Sequence, residues 1–101
     1  MIKGTTPTHK FSVPAEVVGK IKEIKITYEQ NGVDIITKRT EDCTVSGDEV
    51  SVRLTQTDTF MFDHEAVVNI QIRILTVNGD ALASFPLQVN AVECLDEEVL
   101  Q

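Results

Sequence analysis

Tryptophan is absent from this chain of 101 residues, and aromatic side chains amount to one Tyr and four Phe. So few leave little material for the exposed aromatic platforms on which sugar rings stack. Cysteine occurs twice, at Cys43 and Cys94, with neither a CxxC pair nor any metal-ligand spacing, which removes zinc ribbons and dithiol redox motifs. The expected state is two free thiols. The five glycines stand singly, so no loop can cradle a phosphate through successive backbone N–H groups. No apolar run approaches the length of a membrane-spanning helix, and the opening Met1–Pro7 lacks the apolar region of a signal peptide. Cations are scarce: nine Lys and Arg face sixteen Asp and Glu, a formal charge of −7. A surface of that sign repels phosphate backbones, which argues against nucleic acid as a partner. Only Lys20, Lys22 and Lys25 cluster, with Glu23 among them.

What remains is an ordinary globular composition, 42% hydrophobic and 25% charged, at the size of one domain. A chain of this length buries roughly two thirds of its unfolded surface without disulfides or metal. Period-two alternation dominates, broken by turn residues about every ten positions. Thr8 to Val13 predicts a first strand with His9, Phe11 and Val13 inward, ended by Pro14. Ile24, Ile26 and Tyr28 mark the second, and Asn31-Gly32 predicts a tight type I′ hairpin. Val33 to Arg39 returns, although Ile35 and Ile36 are adjacent and only one can face inward. Thr40 to Val45 holds a further short strand before the Ser46-Gly47-Asp48 turn, and Val50, Val52 and Leu54 mark the next.

The period then breaks. Thr55-Gln56-Thr57-Asp58 fits a capping box, which predicts one helical turn near residues 56–62 that crosses between sheets and places Phe60 or Phe62 in the core. The longest predicted strand, Ala66 to Thr76, lines Val68, Ile70, Ile72 and Ile74 on one face. After Asn78-Gly79-Asp80, its partner is expected to carry Ala81, Ala83, Phe85, Leu87, Val89 and Ala91 on one face, with Pro86 marking an edge or a bulge. About seven short strands with one apolar face each predict an all-β, immunoglobulin-like antiparallel sandwich over residues 1–92, with a small closed barrel as the alternative. Residues 93–101 form an acidic tail in which Leu95, Val99 and Leu100 interrupt Glu93, Asp96, Glu97 and Glu98. The tail is either frayed or docks on a neighbouring subunit.

Catalytic chemistry finds little footing. In Asp63-His64-Glu65 the three side chains point to different sides of an extended chain, so a solvated loop is expected. His9 falls in a core register and reads as a structural histidine. No Gly-x-Ser-x-Gly elbow occurs, and Asp42, Asp48, Asp58 and Asp63 match no calcium-loop spacing. The chain is therefore expected to be no enzyme and to hold no cofactor or metal. Lys25, Thr27, Glu29, Arg53, Asn69, Gln71 and Arg73 face outward in register and suggest a mixed polar surface suited to solvent or to a wet protein contact.

Several stretches carry a resemblance: Ile2-Lys3-Gly4-Thr5-Thr6-Pro7-Thr8-His9, Ile21 to Gly32, Val52 to Phe60, Val68 to Arg73, Ala81 to Ser84, and the ending Asp96-Glu97-Glu98-Val99-Leu100. Through them the chain resembles small structural proteins of tailed phages and prophages, and its layout is similar to the immunoglobulin-like N-terminal domain of phage baseplate upper proteins. The resemblance implies a virion tail or baseplate component that docks on other phage structural proteins, with a homo-oligomer among the options. It would be made in the bacterial cytoplasm and carried in the virion. Leu95, Val99, Leu100, Arg53 and Arg73 are the expected contacts. The alternative function is a sandwich module that binds a glycan or surface polymer.

Overall fold

The computed structural model describes every residue from Met1 to Gln101. Eight strands form two antiparallel sheets. The smaller has β1 (Thr8–Ser12) beside β5 (Glu49–Arg53), which pairs in turn with β4 (Cys43–Ser46). In the larger, β3 (Val33–Arg39) pairs with β2 (Ile21–Gln30) and β2 with β6 (Val67–Thr76). The far edge of β6 is shared by β7 (Ala81–Ala83) and β8 (Leu87–Asn90). Two short helices, α1 (Ala15–Val18) and α2 (Gln56–Phe60), connect the layers. In immunoglobulin lettering the sheets read B-E-D and C′-C-F-G, so the all-β, immunoglobulin-like expectation holds.

Fifteen buried apolar side chains fill the space between the sheets, and they fall where alternation puts them: Phe11 and Val13, Ile24 to Tyr28, Val50 to Leu54, Val68 to Ile74. Antibody domains brace this position with a strand-C tryptophan against a disulfide. Here Tyr28 on β2 occupies the middle of the core, its ring centroid 5.9 Å from Phe62 and 5.5 Å from His9. The Tyr28 hydroxyl and His9 Nδ1 share a hydrogen bond of 2.6 Å, a polar tie from one sheet to the other. The crossover also follows its sequence. Thr55 Oγ1 accepts the Asp58 N–H, Asp58 Oδ2 accepts the Thr55 N–H, and Phe62 enters the core just beyond.

Irregularities decide the faces. Tyr28 pairs with Ile36 but Glu29 with Asp34, so Ile35 is the extra residue of a bulge and Ile36 alone takes the core position. The edge strand departs from expectation more sharply. Leu82 faces Ile74 and Leu87 faces Ile70, so Ser84-Phe85-Pro86 spans the space opposite only Gln71 and Ile72. One extra residue reverses the alternation. Ala81 and Ala83 therefore face outward, Leu87, Val89 and Ala91 keep the inward parity, and Phe85 is 94% exposed instead of buried. Proline, which has no N–H to donate, sits where the ladder breaks. This break divides the expected single partner strand into β7 and β8 and raises the count to eight.

Candidate functional site

The tail is the part of the molecule whose contacts run contrary to its composition. Beyond the buried Ala91, Val92 bridges the N-terminal segment: its N–H donates to Met1 O at 2.8 Å and its carbonyl accepts the Lys3 N–H at 2.9 Å. Residues 93–101 then contain neither helix nor strand. They are nonetheless held. Gln56, the first residue of α2, donates from Nε2 to Leu100 O at 2.9 Å, and its Oε1 accepts the Leu100 N–H at 2.8 Å. One side-chain amide thus satisfies both backbone groups, as a neighbouring strand would. Glu97 lies 3.7 Å from the ammonium of the buried Lys3, and Asp96 Oδ1 accepts the Glu98 N–H at 2.8 Å.

Every one of these anchors is polar. The apolar side chains stay outside, with Leu95 fully exposed, Leu100 72% exposed and Val99 40% exposed. Burying a leucine is worth about 1.5–3 kcal/mol, and the tail forgoes that while keeping its backbone fixed. A frayed tail would lack the Gln56 clamp, and a tail belonging to the core would turn its leucines inward. The arrangement leaves three apolar side chains in solvent on a backbone that is held in place.

The two arginines expected at a contact lie on different layers. Arg53, on β5 of the smaller sheet, donates from Nη2 to Thr6 Oγ1 at 3.2 Å. Arg73 lies on the outer face of the larger sheet, directly opposite Lys25, which is itself opposite Arg39. Three of the nine cations thus stand in one cross-strand row. Glu23 reaches Arg39 at 3.6 Å, whereas Lys25 and Arg73 have no carboxylate partner. Alternation shows that these residues face outward, but it cannot say which share a sheet.

Sequence reasoning missed the polar side chains that hold the segments in place. Buried Gln30 donates to Asp63 O and Ala66 O at 2.7 and 3.0 Å and accepts the Asp63 N–H at 2.9 Å, which fixes the loop before β6. Buried Thr59 accepts the Gly4 N–H at 2.8 Å and donates to Thr5 O at 2.9 Å. These partners are 33 to 55 residues away, and no local pattern announces them.

The titratable groups serve the scaffold. Burial, with the amino terminus adding repulsion, lowers the His9 pKa, and burial drives the Tyr28 hydroxyl far above its usual range. Both groups are neutral at pH 7. Burial alone would raise Asp58, but the Thr55 N–H and the Lys38 ammonium at 2.9 Å outweigh it and hold the carboxyl below its usual value. His64 is exposed in the loop after α2, 3.9 Å from both Glu65 and Glu93. Cys43 and Cys94 are both free thiols.

No family model matches this chain, and no curated protein matches it. Among solved structures, it is similar to the immunoglobulin-like domain of mouse leukocyte-associated immunoglobulin-like receptor 1, determined as a strand-swapped dimer. The TM-score is 0.54 at 12% identity, over 91% of this chain and 84% of that one. Identity at that level concerns the fold alone, and the fold agrees with the strand order above.

Proposed function

We propose that this chain is a non-catalytic structural or assembly module of a phage or prophage virion, of tail or baseplate type, acting by protein–protein docking. The observation that carries the docking half is the tail, with its backbone clamped by Gln56 and Leu95, Val99 and Leu100 turned to solvent. The virion half rests on the sequence resemblance described above. A component repeated by symmetry reaches tight assembly through many weak contacts, so a short tail suffices as the docking element. The partners on this reading are other phage structural proteins or further copies of the chain, met in the bacterial cytoplasm during assembly. Mass spectrometry of purified particles induced from the source strain tests it. Many copies per particle are expected; particles rich in other tail proteins but lacking this chain would overturn the virion assignment.

One observation favours the alternative of a glycan- or polymer-binding module, namely the exposure of Phe85 on the edge of the larger sheet. A single phenyl ring without a partner platform is the weaker basis. Titration calorimetry against host wall polysaccharide separates the two readings, with heat of binding that vanishes in Phe85→Ser expected only of the alternative.

A further inference from the structure

The outer face of the larger sheet carries a hollow of about 180 Å³ lined by the outward-facing Glu23, Lys25, Arg73, Leu75 and Ala81, with the paired Ile74 and Leu82, which alternate to the inner face, completing the lining. Its size decides what it can take. Ligand sites for small molecules run from roughly 300 Å³ upward, so this one suits a single apolar side chain. Its rim decides the sign of the partner. Lys25 stands opposite Arg73 and Arg39, and like charges directly opposed in a sheet destabilise it. Glu23 engages Arg39, which leaves Lys25 and Arg73 as a pair of uncompensated cations on a chain of net charge −7. An acidic segment with an exposed apolar side chain is the complement, and the chain ends in one.

We infer that the C-terminal segment of one copy docks on the outer sheet face of a second copy, with Leu95 in the hollow and Glu93 and Asp96 facing Lys25 and Arg73. The inference rests on the reading of the tail as a docking element and names its receptor. Position excludes a resting contact within one copy. Val67 pairs with Asn90, so the tail leaves the sheet at the Val67 end of β6, whereas the hollow lies about six residues along, about 20 Å at ~3.3 Å per residue. The tail is held at Gln56 and Lys3, and none of its residues lines the hollow. Donor and receptor surfaces differ, so the contact is heterologous, and repetition generates a ring or a filament of copies instead of a closed two-fold dimer.

Sedimentation velocity over a concentration series, on the full chain, tests this with two variants. Receptor variant Lys25→Glu/Arg73→Glu and donor variant Leu95→Ser/Asp96→Lys change only exposed positions and the half-buried Lys25, none of them in the core, and circular dichroism checks that both fold. Each is expected to weaken self-association at least about tenfold, and added salt to weaken the wild type. Mixing the two variants is expected to give a 1:1 pair and nothing larger, since only one intact donor and one intact receptor remain. A donor variant that fails while the receptor variant associates normally would move the receptor elsewhere, overturning this inference but not the docking role of the tail. A donor variant that associates like the wild type would contradict both. A wild type that stays monomeric throughout, a tail that binds its own sheet independently of concentration, or a mixture that yields no pair would each overturn the inference.

Discussion

Tyr28 and His9 each bring one polar group into an otherwise apolar core, and their hydrogen bond is what makes the arrangement tolerable. Its loss has a measurable size. Tyr28→Phe leaves the half-buried imidazole nitrogen without a partner and is expected to cost about 1–3 kcal/mol in urea denaturation. The same pair predicts a pH dependence. The His9 pKa is lowered in the fold, so below about pH 6.5 the unfolded chain takes up a proton that the native chain resists. Stability is therefore expected to fall as pH drops from 7 towards 5, with a slope below about 1.4 kcal/mol per pH unit because the ring is only half-buried. His9→Gln flattens that slope if the account is right. Asp58 acts in a lower window: its stabilising effect is present above the unfolded value of 3.8 and is lost as pH falls through the lower folded value.

At the scale of elements, two positions test how the backbone is shaped. Asn31 and Gly32 have φ of +53° and +79°, the left-handed pair that a type I′ hairpin requires, and nothing lies near an added methyl at Gly32. Gly32→Ala is expected to cost about 1 kcal/mol from the backbone alone. Gly4 has a φ of +82°, and a methyl there would fall 2.5 Å from the Phe60 ring, so Gly4→Ala is expected to cost distinctly more in the same denaturation assay. The edge strand supplies a sharper test. With Phe85 exposed beyond the bulge, Phe85→Ser should change stability by no more than about 0.5 kcal/mol. A loss of about 3 kcal/mol or more would mean that the ring is in the core and the strand unbroken.

Those same elements show where sequence is readable. Alternation specified the inward positions of β1, β2, β5 and β6 because a strand buried on one face leaves its register no freedom. Proline at residue 86 announced a break, but the direction in which parity reverses depends on the number of residues facing β6, which is a property of the pairing. The apolar residues of the tail were legible as candidates for a contact. Their outward turn was not, since it follows from one glutamine amide meeting a backbone 44 residues away.

At the scale of the whole molecule, charge and shape act together. The chain is elongated, 46 Å in its longest dimension, acidic overall, with an anchored acidic tail and a row of cations on the outer face of its larger sheet. On the proposed docking, this distribution gives each copy both a donor and a receptor. The proposed docking role of the tail is tested most directly by sedimentation velocity and thermal melting of the full chain beside a chain lacking Leu95–Gln101. The truncated chain is expected to keep the melting temperature within a few degrees, because no buried apolar side chain is removed, and to lose most of its self-association or its incorporation into particles. A truncated chain that fails to fold, or that associates as strongly as the full one, would contradict the account.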